Sequence, residues 1–337
     1  MRMLPRWLTL GFLAGGLALT PALASAQGKT VWNLPHIAAP TYYHTVNLKE
    51  FANRVQEKTG GKLEIRVHPA SSLYPGPEIH LALIDGRAEI GPVLPVYMTD
   101  ILLTTGVLDL PFMTSSLDEH RKGAEGLRKF FEEELAKKGL VLLAIYSWPS
   151  QQLYSTKKPI KTVEDWKGLK VRVYGSESAA LTTALGGAPV SVTFGELYTA
   201  LQRGVVDAAI TSATNAIPMK FVEVTKYMNY WYFSGSAMEL LAVNKKAWDG
   251  LAPDVRNAVT AVIKEMRFED KEWADNKAWD ERAKKEIQEK GMVVLEIPAS
   301  EIEKARKLAR PTWDAWAKRA GEAGPRALQE TLRILGR

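Results

Sequence analysis

The chain has 337 residues, 46% apolar and 24% charged, a length for about two domains and a composition that excludes disordered and fibrous architectures. Because it contains no cysteine, disulfides, thiol nucleophiles, cysteine-ligated zinc sites and iron–sulfur clusters are excluded. The net charge is +6, but basic and acidic residues are interleaved without a basic stripe, so we expect no nucleic-acid partner.

The N-terminus has the pattern of an export signal. Arg2 and Arg6 precede an apolar stretch, Trp7–Thr20, and small residues follow it up to Ala26. A membrane-spanning helix needs about 20 continuous apolar residues, and this stretch is shorter. We therefore predict a signal peptide over 1–26, cleaved near Ala26, and a periplasmic mature protein.

Strand-like and helical patterns alternate through the rest of the chain. The predicted strands are Thr30–Asn33, Lys62–His68, Glu89–Leu94, Leu140–Tyr146, Lys170–Val173, Val190–Val192, Ala208–Thr211, Ala237–Val243 and Met292–Ile297. The predicted helices between them are Tyr43–Lys58, Pro77–Asp85, Leu117–Lys138, Ser178–Leu185 and Gly195–Arg203. This alternation favours an α/β protein with parallel sheets and helices on both faces.

A nearly uninterrupted helical pattern extends over Pro253–Lys290, followed by helical patterns at Ser300–Arg319 and Pro325–Leu335. A helix longer than about 25 residues is unusual inside one compact domain, so we predict that the first of these spans two domains. Two α/β domains joined in this way predict a hinged clamshell with its ligand in the cleft.

The predicted domains are each made of two chain segments. Domain I comprises 27–150 plus about 237–275, and domain II comprises 151–236 plus about 276–337.

Sequence motifs of enzymes are missing. The five histidines have no metal-ligand spacing, and no nucleophile elbow, P-loop or dinucleotide fingerprint is present. Tyr174–Ser178 has serines after a predicted strand but lacks the second glycine of an elbow, so a helix N-terminus is the simpler interpretation. We predict a protein that is not an enzyme and has no cofactor and no metal; an exported hydrolase is the alternative.

Arg172 is the leading candidate for ligand binding. It lies near the C-terminal end of the predicted strand Lys170–Val173, where open α/β sheets bind their ligands. A planar guanidinium there can hold a carboxylate in a bidentate fork, which lysine cannot. From the pattern alone, an exposed ion pair with a neighbouring acid is the commoner role of such an arginine.

Two segments resemble the solute-binding proteins of TRAP (tripartite ATP-independent periplasmic) transporters. They are Pro159–Val173 (PIKTVEDWKGLKVRV) and Thr193–Asp207 (TFGELYTALQRGVVD), and the similarity extends through Phe51–Gly60 and Leu108–Phe112. The resemblance implies a periplasmic-binding-protein clamshell of two α/β domains bridged by a long helix.

The same resemblance implies a function and a partner. The ligand would be a small organic acid whose carboxylate is held by Arg172, in a pocket framed by Phe194. The bound receptor would deliver this acid to the membrane permease subunits of a TRAP transporter, driven by an ion gradient. A receptor that feeds an ABC permease or a sensor kinase is the alternative, and we expect a monomer.

Departures from the family pattern concern the ligand. Thr211 occupies a position where many relatives have asparagine, and Asn215 follows four residues later. Sialic-acid-binding relatives have a second arginine where this chain has Gln151 and Gln152, and Leu94 stands near their pocket glutamate. Because unmatched buried polar groups cost about 1–3 kcal/mol each, this lining favours a small carboxylate with an apolar or aromatic body. A C4-dicarboxylate or a sugar acid is the alternative.

Further contacts are expected from one glutamine and several aromatic residues. Aromatic side chains combine a large apolar surface with, in tyrosine and tryptophan, a polar tip. The remaining candidate ligand-contacting residues are Gln152, Trp148, Tyr97, Tyr174 and Phe233.

Overall fold

The computed structural model describes residues 29–98, 101–233 and 237–337. The predicted signal peptide, 1–26, lies outside these residues. Within the described ranges, none of the helices combines the length and the apolar character needed to cross a lipid bilayer. Strands and helices alternate along the described chain, as the sequence predicts.

The helices and strands have these bounds. The strands are β1 (Thr30–Pro35), β2 (Leu63–His68), β3 (Ile90–Val93), β4 (Leu140–Ser147), β5 (Gln151–Ser155), β6 (Lys170–Val173), β7 (Ala188–Ser191), β8 (Ala208–Ser212), β9 (Tyr227–Tyr230), β10 (Met238–Asn244) and β11 (Val293–Glu296). The helices are α1 (Tyr43–Lys58), α2 (Gly76–Ile84), α3 (Leu117–Gly126), α4 (Arg128–Ala136), α5 (Ser176–Ala184), α6 (Leu197–Gln202), α7 (Lys245–Asp249), α8 (Pro253–Glu265), α9 (Phe268–Glu289), α10 (Ala299–Arg319) and α11 (Ala323–Leu335).

The strands form two lobes. The first lobe contains the parallel pair β1–β2 and the antiparallel sheet β3–β10–β4, and the second lobe contains the six-stranded sheet β11–β9–β5–β8–β6–β7. Central strand β10 is buried along its whole length, and its alternate residues face two different apolar cores. Leu240 and Ala242 pack into one core, whereas Leu241 and Val243 pack into the other, as the two-residue period of a strand requires.

The prediction of parallel sheets is only partly correct. Strands β6, β7 and β8 are parallel, but β5 is antiparallel to β8 and β9, and β10 is antiparallel to β3 and β4. The antiparallel strands β5 and β10 are those that begin where the chain crosses between the lobes. Each crossing strand starts at the cleft, where the parallel strands end, so it runs in the opposite direction.

The predicted single helix over Pro253–Lys290 is wrong in one respect, because it is broken into α8 and α9. Arg267 separates the two helices with a left-handed backbone (φ 47°). The break places Phe268 against Phe51 and Tyr146 in a first-lobe core. The buried aromatic contact compensates for a backbone conformation that non-glycine residues seldom adopt.

Helix α9 bridges the two lobes. Trp273, near its start, packs into a first-lobe core, whereas Ile287, near its end, packs with Met228 of β9 in the second lobe. The prediction of a two-domain clamshell with a long bridging helix is therefore confirmed.

The two C-terminal helices, α10 and α11, pack against both lobes. Ala305 and Ala309 of α10 pack into the second-lobe core, while Trp316 packs into a first-lobe core. Leu328 and Leu335 of α11 pack into that same first-lobe core. The predicted residue boundaries of the two domains remain a prediction. Because helix α11 packs against the first lobe, it is relevant to the predicted C-terminal end of domain II.

Candidate functional site

A cavity of about 420 Å³, counted with its opening to solvent, lies between the two lobes. It forms where β3, β6 and β8 end and where β5 and β10 begin, which is the edge at which α/β sheets bind ligands. Both lobes contribute to it. The lining residues are Ile37, Leu94, Val96, Tyr97, Trp148 and Ala237 from the first lobe and Gln151, Arg172, Tyr174, Phe194, Thr211, Ser212 and Asn215 from the second.

Arg172 of β6 is held in this cavity by two backbone carbonyl groups. Its Nε donates to the carbonyl oxygen of Val192 at 3.0 Å, and its Nη1 donates to that of Ile210 at 2.9 Å. The guanidinium carbon also lies 5.7 Å from the ring centre of Tyr174. These contacts orient the planar group and leave several of its five N–H donors for other partners.

The residue is almost fully buried, with 3% of its surface exposed. Within the described parts of the chain no carboxylate pairs with Arg172, and burial lowers its pKa. The sequence pattern alone favoured an exposed ion pair, which the structure does not show. A buried guanidinium without an acidic partner is unfavourable by itself.

Polar side chains of β5, β8 and the turn after β8 lie on the same side of the cavity as Arg172. Asn215 Nδ2 donates to Thr211 Oγ1 at 2.9 Å, and Gln151 Nε2 donates to the carbonyl oxygen of Pro149 at 2.9 Å. Each amide thus uses part of its hydrogen-bonding capacity within the protein and retains the rest. Of the described residues that line the cavity, Arg172 alone carries a charge.

Aromatic residues line the cavity from both lobes. Trp148 stacks on Tyr42 with ring centres 5.0 Å apart, and Tyr97, Tyr174 and Phe194 complete the lining. Burial raises the pKa of Tyr97, an effect that the positive charge of Arg172 opposes. The Tyr97 hydroxyl is therefore neutral and can donate or accept hydrogen bonds.

The structure brings together seven of the nine candidate residues: Arg172, Phe194, Thr211, Asn215, Trp148, Tyr97 and Tyr174. Two candidates lie elsewhere. Gln152 accepts from the backbone N–H of Tyr232 and donates to Ser150 Oγ, both at 2.9 Å. Phe233 stacks on Trp231 and meets the edge of Trp166 in the second-lobe core.

The positions of Gln152 and Phe233 outside the cavity lining each have a physical reason. Successive residues of a strand face opposite sides, so either Gln151 or Gln152 can face the cavity, and it is Gln151 that does. An aromatic residue near a cleft is more often packed in the core than exposed to ligand, as Phe233 is. The sequence analysis also did not identify Ser212 and Ala237 as lining residues. Both are small and lie at strand ends, and neither property distinguishes them from core residues.

The sequence profile of the bacterial extracellular solute-binding protein family 7 (DctP) matches residues 34–319. The chain belongs to this family. The resemblance to TRAP solute-binding proteins is thereby confirmed. Members of the family are extracytoplasmic solute-binding receptors that bind small carboxylates and work with membrane permease components.

Several relatives match over almost their whole length. The C4-dicarboxylate-binding periplasmic protein DctP of Rhodobacter capsulatus is 29% identical over 323 residues, covering 93% of this chain and 94% of the relative. The crystal structure of DctP6 of Bordetella pertussis, an extracytoplasmic solute receptor binding pyroglutamic acid, is 29% identical with a TM-score of 0.84. That match covers 90% of this chain and 100% of the other.

A third relative has a different kind of ligand. The TRAP periplasmic solute-binding protein of Sulfitobacter sp. NAS-14.1, with bound β-D-galacturonate, is 25% identical with a TM-score of 0.83. The match covers 91% of this chain and 100% of the other. This chain is therefore a TRAP-type solute receptor, and its relatives differ in the acid that they bind.

Proposed function

We propose that this receptor binds a small monocarboxylate in the cavity between its lobes and delivers it to a TRAP permease. The observation that carries the proposal is the burial of Arg172 without an acidic partner among the described residues. A ligand carboxylate would accept two parallel hydrogen bonds from the guanidinium and supply the missing negative charge.

The charge of the lining limits the ligand to one carboxylate. A C4-dicarboxylate, the ligand named for the Rhodobacter relative, would place its second carboxylate among groups without a matching cation. Desolvating an unmatched charge is strongly unfavourable. The cavity therefore favours a monoanion over a dianion.

The neutral part of the lining suits an acid with an apolar ring and one amide-like group. Trp148, Val96 and Leu94 offer apolar surface, whereas Gln151 and Asn215 offer amides. Pyroglutamate, the ligand of the Bordetella relative, has this combination and is the first probe to test. A sugar acid, as in the Sulfitobacter relative, would need more hydrogen-bonding partners for its hydroxyl groups and is the second candidate.

We propose that the two lobes act as the two domains of the clamshell. In this proposal domain I comprises 27–150, about 237–275 and helix α11, because α11 packs into a first-lobe core. Domain II comprises 151–236 with the second half of α9 and the first half of α10. A ligand that contacts both lobes binds the closed form better, so it shifts the population toward closure.

The remaining parts of the proposal concern export and mode of action. The mature protein is released by cleavage near Ala26, binds its acid as a monomer without chemically changing it, and has no nucleic-acid partner. The supporting observations are the N-terminal sequence pattern, the family, and the absence of enzyme motifs from the sequence. Mass spectrometry of the exported protein tests the cleavage site, and recovery of unchanged acid after prolonged incubation tests the absence of turnover.

Thermal unfolding of the mature protein with a panel of acids tests the ligand class. Pyroglutamate, succinate and galacturonate are compared, with Arg172→Ala measured alongside. A ligand at 100 times its Kd adds about 2.7 kcal/mol of stability. The expected result is therefore a large rise in Tm with pyroglutamate, no rise with succinate, and no rise with any acid in Arg172→Ala. Stabilisation by succinate alone would overturn the proposed monocarboxylate class, whereas stabilisation by galacturonate alone would overturn the proposed apolar ring and favour a sugar acid. An undiminished shift in Arg172→Ala would overturn the role of the arginine.

A further inference from the structure

A second, smaller cavity lies beside the ligand cavity, also between the lobes, and shares Val96 and Tyr174 with it. Asp109 lines it from the first lobe, at the end of the short 3-10 helix Leu103–Asp109. Glu177 lines it from the second lobe, in the first turn of α5, and Trp316 of α10 completes it. Two carboxyl groups from opposite lobes therefore line the same cavity.

Three side chains that line this cavity, Asp109, Glu177 and Trp316, each have a buried polar atom without a partner in the described structure. Asp109 Oδ1 accepts from the backbone N–H of Met238 at 3.0 Å, but Oδ2 has no partner. Glu177 Oε1 accepts from Ser176 Oγ at 2.8 Å and from Arg319 Nη2 at 2.5 Å, but Oε2 has no partner. The indole N–H of Trp316, which is fully buried, also lacks an acceptor.

The charges around the two carboxyl groups are unequal. Arg319 faces Glu177 and favours its ionised form, but burial is the larger effect and raises the pKa of Glu177. Asp109 has a backbone N–H as its hydrogen-bonding partner, and burial together with the charge of Glu177 raises its pKa well above the ordinary range. Of the two acids, Asp109 is the one that holds a proton more readily.

Other ionisable groups on the elements around Asp109 are engaged elsewhere. On α3, His120 contacts Met238 Sδ at 2.9 Å. On α4, Glu134 accepts from Thr104 Oγ1 at 2.7 Å. At the end of α11, Arg337 pairs with Glu119 at 2.6 Å. None of these contacts supplies Asp109 with a cation.

We propose that Asp109 and Glu177 form a proton-linked latch, in which closure of the lobes takes up one proton from solvent onto Asp109. Protonation removes the negative charge that Asp109 would otherwise bury in this cavity beside Glu177 and without a cation of its own. When the lobes separate, the Gly175–Ser178 segment withdraws, Asp109 meets water, and the proton returns to solvent. The step transfers one proton between solvent and Asp109, and no other bond to a proton is made or broken.

The latch makes closure depend on pH. A group that binds its proton more tightly in the closed form stabilises that form relative to the open form. This stabilisation is greatest at low pH and decreases as the pH rises. One linked proton changes the closed-to-open ratio by at most tenfold per pH unit. Because the ligand binds the closed form, affinity should rise in the same way as the pH falls, and this consequence rests on the proposed receptor function.

Closure can be measured without any ligand. Ser72 and Glu196 are exposed and lie next to Ser71 and Gly195, which line opposite sides of the cleft opening. Since the chain contains no cysteine, Ser72→Cys and Glu196→Cys accept a pair of spin labels selectively. The distance between the labels is measured by pulsed electron resonance at pH 5.5, 7 and 8.5.

The expected result is a short-distance population that grows several-fold as the pH falls. In Asp109→Asn the side chain is neutral at every pH, as the protonated acid is, so the short distance should persist at every pH. Glu177→Gln removes the opposing charge and should reduce the pH dependence, which provides a second variant if the first does not fold. Asp249→Asn, which changes an exposed acid on α7, should behave as the unaltered protein does.

Two outcomes would overturn the latch: distances that do not change with pH, or the same pH dependence in Asp109→Asn. Calorimetry with pyroglutamate in buffers of different ionisation enthalpy then separates the latch from the receptor function. Binding with net uptake of up to one proton supports both. Binding without proton uptake contradicts the latch alone. No binding of pyroglutamate contradicts the proposed ligand, while the label distances still decide the latch.

Discussion

The backbone of Gly175 lies against the carbonyl oxygen of Val96 across the lobe interface. A Cβ atom at position 175 would be 3.0 Å from that oxygen, closer than nearly all such contacts in proteins. The φ angle of Gly175 is −170°, an extended conformation that any residue can adopt. The close approach of the two lobes, rather than backbone conformation, therefore favours glycine here.

Gly175→Ala should weaken ligand binding about tenfold, because the added methyl group separates the lobes slightly in the closed form. The thermal stability of the ligand-free protein should be unchanged, since the clash exists only when the lobes meet. Gly195→Ala is the matched control, because a Cβ there meets no atom within 4 Å. Calorimetry with pyroglutamate measures both affinities, and equal affinities in the two variants would show that this contact does not limit closure.

The geometry of the guanidinium should matter as much as its charge. Arg172→Lys keeps the positive charge but cannot form two parallel hydrogen bonds with a carboxylate while also bonding the carbonyl groups of Val192 and Ile210. Losing hydrogen bonds to a charged group costs about 1.5–3 kcal/mol, so affinity should fall about 10- to 100-fold. Calorimetry of Arg172→Lys checks this, and wild-type affinity would mean that charge alone holds the ligand.

The position of Arg172 could be predicted because local pattern and global topology agree there. Residues Lys170–Val173 form the expected strand, and the C-terminal end of that strand lies at the cleft as the general rule for α/β sheets requires. What the pattern could not show was that Arg172 lacks an acidic partner among the described residues. This property depends on tertiary contacts with Val192 and Ile210, which are distant in sequence.

The unpredicted elements also depend on tertiary structure. Strand β5 (QQLYS) has two glutamines and no apolar alternation, so its strand conformation comes from pairing with β8 and β9 on its two sides. The break at Arg267 has no glycine or proline to mark it. It is stabilised by the burial of Phe268 against residues more than 100 positions away in the chain, such as Phe51.

Gln151 and Gln152 should have different roles although they are neighbours. Gln151 lines the ligand cavity, whereas Gln152 joins Ser150 to the backbone of Tyr232. Gln151→Leu should weaken pyroglutamate binding several-fold with little effect on thermal stability. Gln152→Leu leaves the N–H of Tyr232 without its partner, which costs about 1–3 kcal/mol of stability. Calorimetry and thermal unfolding of both variants test the assignment, and a reversed pattern would place Gln152 at the ligand.

A buried acid and histidine link the first lobe to helix α9. Glu272 Oε2 lies 2.5 Å from His44 Nδ1, and Asn47 Nδ2 donates to Glu272 Oε1 at 3.0 Å. Both members of the close pair are fully buried. Burial raises the pKa of Glu272 to about 8 and lowers the pKa of His44 to about 3. The pair is therefore neutral at pH 7, with the protonated carboxyl group donating to the imidazole nitrogen.

These shifts have opposite effects on stability. Glu272, with its ordinary pKa of 4.5 raised to about 8, stabilises the fold fully below 4.5, and this contribution is lost as the pH rises toward 8. His44 has its ordinary pKa of 6.5 lowered to about 3. It makes its full contribution to the stability of the fold above pH 6.5, and this contribution is lost as the pH falls toward 3. Between about 4.5 and 6.5 the two slopes offset each other, and above 6.5 Glu272 dominates.

Glu272→Gln should therefore flatten the loss of stability between pH 6.5 and 8. The glutamine amide can donate to His44 and its oxygen can accept from Asn47, so the hydrogen bonds remain while the titrating proton is removed. The difference in unfolding free energy between variant and wild type should change by about 1.4 kcal/mol per pH unit at most. Urea unfolding at several pH values measures it, with the exposed Glu289→Gln on the same helix as control. A constant difference across this window would mean that Glu272 is already ionised in the folded protein at pH 6.5.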